Sequence, residues 1–301
     1  MNKAMWKRAG ITLTAAAVVT GLAGCQDGGD KAADAPAKAQ SQEDVTKVIQ
    51  AAYTKTAAAK SAKIKMTMEM PAAVEGGGTM EMTGVQGWDP AVMDVTVKGS
   101  MLSAGGPGAP EQMRMVVRDN AMYMDMGAAR AAEMDGKRWM KLDMTAIAEA
   151  AGGQAAGKSM TGGLENMNQD PAKQLALLLE SPDLKHVGPE KIDGVDTQHY
   201  KGTLTLEQMV AANKNLDVLS EKERTELVAG VKKAGIKAYD TQVWVNADGY
   251  PVRMDLGMKM DQGTVKMGMR YSDYGAEATV QAPPAKDTVD LFEMLKGLGQ
   301  S

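Results

Sequence analysis

Cysteine and histidine are nearly missing from this sequence, with one of the first and two of the second in 301 residues. Those counts remove most thiol-nucleophile and histidine-built metal chemistry. A single cysteine cannot close an intramolecular disulfide, so packing alone must hold the fold. Aromatic residues make up 4% of the chain and phenylalanine occurs once, at Phe292. The body has no apolar run of about 20 residues, which argues against a multispanning membrane protein. Basic residues are not in surplus: 34 Lys+Arg face 38 Asp+Glu, a net charge of −4, and nothing points to nucleic acid. Gly-x-Ser-x-Gly, His-Glu-x-x-His and P-loop patterns are all missing, so the reading is of a non-enzyme without cofactor or metal. What the chain has in excess is methionine, 26 residues of it.

The amino end sets the expected compartment. Lys3, Lys7 and Arg8 precede an apolar stretch from Ile11 to Leu22, too short to span a bilayer comfortably. It runs into Leu22-Ala23-Gly24-Cys25, which resembles a bacterial lipobox. In signals of that kind the cysteine is diacylated and the peptide is cut just before it, so residues 1–24 are expected to be a lipoprotein signal peptide. Cleavage there removes three positive charges and no negative one, so 34 basic residues become 31 against 38 acidic and the net charge falls to −7. Two acyl chains on Cys25 anchor a protein stably where one does not. The expected location is the extracytoplasmic face of the cell membrane. Residues 25–42 form a polar linker, QDGGDKAADAPAKAQSQ after Cys25, with a typical reach of roughly 20–25 Å. Residues 43–301 are the folded domain.

Within that domain the hydrophobic period changes twice. Val45, Val48, Ile49, Ala52 and Tyr53 recur at helical spacing in Glu43–Lys60. The period then becomes two: Ile64, Met66, Met68 and Met70 alternate with polar residues, as do Met80 and Met82. Similar runs follow at 91–101, 112–118, 121–126 and 138–142, as expected of strands with one covered face. Gly76–Gly78 and Gly105–Gly108 read as turns or loops, and 150–168 as an exposed loop. Asp170-Pro171 caps an expected helix at Ala172–Glu180, and 206–234 reads as one or two helices. Asp193-Gly194 and Ala247-Asp248-Gly249 mark hairpins. In the strand after the second, Val252, Met254, Leu256, Met258 and Met260 are expected on one face. Val265, Met267 and Met269 repeat the pattern, and Asp287–Leu298 reads as a short helix with Val289, Phe292 and Leu295 on one stripe. Strand blocks interrupted by helices give an α+β fold, a curved antiparallel sheet with helices on one face. The alternating acids, such as Glu69, Asp94 and Asp255, read as solvated strand faces, and His199 as a surface or packed residue.

The methionine excess has three readings. Thioethers can serve as ordinary core, although an unbranched side chain fills space without fixing a shape. They can line a deformable cavity for apolar ligands, since Met66, Met68, Met115, Met124, Met254, Met258 and Met269 share faces by alternation. Met82 and Leu177 complete that candidate lining. They can also bind a soft ion, Cu(I), because Met-x-Met recurs at 66/68/70, 80/82, 122/124/126 and 258/260. His186 and His199 stand away from those runs.

Three segments carry a family likeness: DGVDTQHYKGTLTL at 193–206, VWVNADGYPVRM at 243–254 and YSDYGAEATVQAPP at 271–284. With the lipobox and the first helix, they resemble the mycobacterial LppX/LprG-type lipoproteins, whose fold is similar to that of LolA-type lipoprotein carriers. The likeness extends over most of the mature chain and rests on hairpin turns rather than catalytic signatures. It implies a half-barrel, a sheet curled around helices, with a hydrophobic cavity for lipids or lipidated glycans. It also implies a carrier rather than an enzyme, shuttling apolar cargo in the envelope. An envelope sensor on the same fold, with a protein partner, and a Cu(I)-binding lipoprotein are the alternatives.

Overall fold

The computed structural model describes residues 40–74, 76–103, 110–132, 134–146, 170–208, 229 and 235–298. The lipobox with Cys25, most of the linker, the glycine run at 105–108, the expected loop at 150–168 and nearly all of the expected helices at 206–234 lie outside the described residues.

Ser41 accepts a hydrogen bond from the Asp44 N–H at 3.2 Å and starts helix α1, Gln42–Ala59. Lys60 ends it in the left-handed region at φ 64°. Its buried stripe is Val45, Ile49, Ala52 and Thr56. Tyr53, expected on that stripe, is instead 39% exposed, because the face turns toward Thr56 one helical turn later.

Six strands then form an antiparallel meander: β1 (Ser61–Met70), β2 (Gly78–Trp88), β3 (Ala91–Lys98), β4 (Gln112–Arg118), β5 (Ala121–Asp125) and β6 (Trp139–Asp143). β3 stops at Lys98, short of the expected Met101. Gly99 adopts φ 135°, and Ser100–Ser103 forms a one-turn helix, α2, whose Ser100 hydroxyl accepts from the Thr79 N–H at 2.9 Å. A second short helix, α3 (Gly127–Ala131), precedes β6. Helix α4, Pro171–Leu179, begins as expected with Asp170 accepting the Ala172 N–H at 2.8 Å and proline at the first helical position.

The second meander is β7 (Lys185–Ile192), β8 (Val195–Thr205), β9 (Ala238–Asn246), β10 (Pro251–Met260) and β11 (Gly263–Ser272). Asp193 and Gly194, both at positive φ, make the two-residue turn between β7 and β8. A register shift between Pro251 and Arg253 leaves Val252 as a bulge. Val252 therefore leaves the alternation expected for β10 and lines a groove on the opposite face.

The two meanders are one sheet. β1 pairs with β11 from Lys63–Ser272 to Glu69–Lys266, giving the order β6-β5-β4-β3-β2-β1-β11-β10-β9-β8-β7, with one more strand added at the β6 edge. The carboxyl end corrects the sequence reading. After a 3₁₀ turn at Ala285–Asp287, residues Thr288–Asp290 form strand β12, parallel to β6, with Val289 opposite Met140. Only Leu291–Leu298 is helix (α5), and Asp290 caps it by accepting from the Phe292 N–H at 3.0 Å. The free edge of β6 supplies backbone partners that a helix there would forgo. Lys141 fastens the pairing, with Asp143 at 3.0 Å and Asp290 at 3.2 Å.

One core cluster joins α1 and α4 to strands from β4 (Met115, Val117) through to β8 (Tyr200). Eight strands at 4.7–4.9 Å spacing are about 34 Å wide. Two helices of about 10 Å diameter cover roughly 20 Å of that width. Both flanks reach the same helices only if the sheet bends around them. The fold is the α+β class expected, an open sheet that is antiparallel except for β12, with α1 and α4 on its inner face. No described helix is long and apolar enough to cross a membrane.

Candidate functional site

The inner face is organised as rows of directly opposed residues. One row runs Met113, Val97, Met82, Met66, Met269, Met254, Val243 and Tyr200 across eight strands. Its centre is four consecutive thioethers, and all four are buried: Met82, Met66, Met269 and Met254. Tyr271, also buried, donates its hydroxyl to Met269 Sδ at 3.1 Å, and burial holds that phenol well above its ordinary pKa. Ile49 of α1 and Leu175 and Leu178 of α4 belong to the same buried cluster as this row.

The next row toward the ends of β1 and β10 is different. Met80, Met68, Met267 and Leu256 oppose one another across β2, β1, β11 and β10, and all four are half-buried. Met258 follows in the row beyond, opposite Val265 and Tyr239, and is also half-buried. On the other flank Met115 is buried opposite Met124, itself half-buried and opposite Met140. The candidates read from the sequence thus split. Met66, Met82, Met115, Met254 and Met269 are packed core, whereas Met68, Met124 and Met258 remain partly open. Leu177 is half-buried on the flank of α4, and the residues that seat that helix are Leu175 and Leu178. Sequence reasoning left Met80, Met267 and Leu256 out of the candidate set. Their alternation was visible, but their shared row depends on the β1–β11 register, and no local signal encodes it.

The outer face carries the charges. Arg114 grips Asp94 with two bonds (2.9 and 2.6 Å), Arg253 pairs with Asp255 at 2.5 Å, and Glu69 meets Lys266 at 3.6 Å. Those acids lie on the outer strand face, as their alternation implied, and each is ion-paired there. A groove of about 1040 Å³ lies here, between the segment after β11 and the β7–β8 and β9–β10 turns. Lys63, Lys65, Asp94, Asp193, Val252 and Arg270 are among its walls, and none of the candidates read from the sequence lines it. Its cations are matched: Lys63 with Asp273 at 2.7 Å, Lys65 with Glu81 at 3.1 Å and Arg270 with Asp193. Residues after β11 cross this face. Ala278 and Val280 pack with Val92 and Val116, and Arg118 donates to the Val280 carbonyl at 2.8 Å.

His199 is 9% exposed on the outer face, stacked on Trp244 with ring centres 4.2 Å apart. Its Nε2 lies 3.0 Å from Gln242 Oε1, and its Nδ1 lies 3.5 Å from Glu190 Oε2, which accepts the Trp244 indole N–H at 2.6 Å. Arg253 covers the other side of Trp244 at 4.7 Å. Burial pushes the imidazole below its ordinary pKa, and Glu190 offsets this only in part. Below about pH 6.5 the unfolded chain therefore takes up this proton before the folded one does, and stability falls. In His199→Gln, thermal unfolding midpoints between pH 7.5 and 5.5 should decline less steeply than in the parent. Parallel curves would show that His199 does not carry the slope.

Comparison with known proteins places the chain. No family model matches it. It is 32% identical over 253 residues to an uncharacterized 31.2 kDa protein of Streptomyces griseus encoded in the rplA–rplJ intergenic region, covering 80% of this chain and 77% of that one. The chain belongs to that protein's family. Another similar protein, from Streptomyces coelicolor, is 24% identical over 251 residues, covering 81% and 74% of the two chains, and its name classes it provisionally as a lipoprotein. Among solved structures, the Mycobacterium tuberculosis lipoprotein LppX is similar over 80% of this chain and all of its own, with 14% identity and a TM-score of 0.46. LprF from Mycobacterium bovis matches 81% of this chain and 99% of its own, with 16% identity and a TM-score of 0.43.

Proposed function

We propose that this member of the Streptomyces family is a membrane-tethered, extracytoplasmic lipoprotein that binds lipids or lipidated glycans, holding their acyl chains against the thioether face. The observation that carries the reading is the contrast between adjacent rows: Met82–Met66–Met269–Met254 is buried, while Met80–Met68–Met267–Leu256 is half-buried. An apolar row that packs against the core and keeps part of its surface open suits a ligand that needs area and few hydrogen bonds. Each methylene withdrawn from water contributes about 0.8 kcal/mol, so a dozen carbons offset much of the association cost. Flexible thioethers adapt to chains of different shape, giving tolerance rather than selectivity. Cys25, after Leu22-Ala23-Gly24, would carry the diacylglyceryl anchor, and the name of the Streptomyces coelicolor relative agrees with that assignment. The role is binding and transfer; no catalytic residue is assigned.

The test uses the full chain with Cys25→Ser, purified without detergent and extracted with organic solvent for mass spectrometry. Acyl-bearing molecules should appear in near-stoichiometric amount and drop at least fivefold when Met68→Glu places a charge on the face. An extract no richer than that of an unrelated protein would sink the lipid reading and leave the fold to a protein partner.

A further inference from the structure

A second property of the half-buried row concerns sulfur rather than apolarity. The same inner face accepts branched residues elsewhere, as Val95, Val97, Val117, Val243 and Val245 demonstrate. Branched side chains suit strands better than methionine does, and they define a core more sharply. Methionine is nevertheless concentrated on the central strands. What a thioether adds beyond the area of leucine or valine is a soft lone pair.

Met80, Met68 and Met267 sit on three neighbouring strands in direct register, Met68 opposite both of the others. Directly opposed residues have Cβ atoms about 4.5–5.5 Å apart, and three flexible methionine arms on one face can turn their sulfurs toward a common centre. All three are half-buried, so an ion could reach them and still be shielded from water. Among the described residues no group of three His, Cys, Asp or Glu could hold a metal, so harder divalent ions find no comparable site. Glu69 and Glu81, the nearest carboxylates in sequence, alternate onto the outer face and pair with Lys266 and Lys65.

We propose that Met80, Met68 and Met267 form a three-thioether site for one Cu(I) ion. The ion is monovalent and soft, and the neutral sulfur donors match it without requiring a buried counter-charge. Met68, in the middle, is the pivotal ligand. The proposal does not depend on the lipid reading, since acyl chains would use the area of this row and Cu(I) its lone pairs.

The experiment uses the full chain with Cys25→Ser, so that no thiol competes, under anaerobic reducing conditions. Equilibrium dialysis against Cu(I) in acetonitrile-containing buffer is read as bound copper per chain. Ag(I), a redox-inert probe of the same donor preference, is titrated with methyl-labelled methionine observed by NMR. One Cu(I) per chain is expected, with Ag(I) shifting the methyl signals of Met68, Met80 and Met267. Met68→Leu should weaken binding at least tenfold and the triple leucine variant should abolish it, while Met124→Leu changes nothing. Global norleucine substitution, which replaces sulfur and keeps shape, should also abolish binding in a chain whose circular dichroism is unchanged. Acyl species are read separately in solvent extracts of the parent chain, so that failure of the lipid reading and failure of the metal site are distinguished. Copper retained by the triple variant as by the parent, or no copper retained by the parent, overturns the assignment.

Discussion

Met254→Ala is expected to lower the unfolding free energy by about 3 kcal/mol, within the range for large-to-small changes in packed cores. Met254 is fully buried, lies between Met269 and Val243 in its row, and belongs to the cluster that holds α1 and α4 on the sheet. Truncation leaves a cavity bordered by opposed strands and helices, which cannot collapse into it without disturbing the whole row. Met254→Leu conserves volume and should cost less than about 1.5 kcal/mol. Chemical denaturation of both variants measures the difference. Equal and small losses would mean that the thioether row is loosely packed even where it is buried. By contrast, leucine at half-buried Met68 should leave stability almost unaltered, which is why it can be used to probe binding.

Gly84→Ala should be at least as damaging, about 3 kcal/mol, from a single added carbon. Gly84 stands opposite Ile64 on β1 and Val95 on β3. A Cβ there would fall 2.0 Å from the Asp94 carbonyl oxygen and 2.8 Å from Val95 Cα, both backbone atoms of the neighbouring strand. No side-chain rotation relieves such a clash, so β2 and β3 must move apart in the middle of the sheet. Gly257 in β10 is the control, because its Cβ would meet Asp240 and Thr264 side chains at an ordinary 3.7 Å. Gly257→Ala should be neutral or slightly stabilising, since a strand glycine gives up more chain entropy on folding than alanine. Similar unfolding midpoints for the two variants would contradict the close approach of β2 and β3.

Much of the secondary structure was legible because it is local. The α1 stripe, the Asp170-Pro171 start of α4 and the alternation of β1, β10 and β11 are consequences of period and capping. The bulge at Val252 was not legible, since nothing in YPVRM distinguishes a bulged strand from a regular one. Nor was β12: Val289 and Phe292 fit a helical stripe, and only the free edge of β6, well over a hundred residues earlier, makes Thr288–Asp290 a strand. The candidate site was half legible for the same reason. Alternation identified which methionines share a face. Which were buried depended on where α1 and α4 lie across the strands, and that choice separated Met254 from Met258 within a single strand.

The seam between β1 and β11 has a consequence for how the chain must be made. Thr67 lies beside Gly268, 201 positions further on. When synthesis or threading proceeds amino end first, β1 emerges early and shows one bare flank, rich in methionine, until nearly the whole polypeptide has followed. Long-range pairing of this kind is slow, and a waiting strand edge invites intermolecular zippering. A polypeptide stopped before Gly263 would hold two half-sheets with no hinge partner between them and should precipitate rather than fold. Closure of the β1–β11 seam is thus the step on which the whole sheet waits.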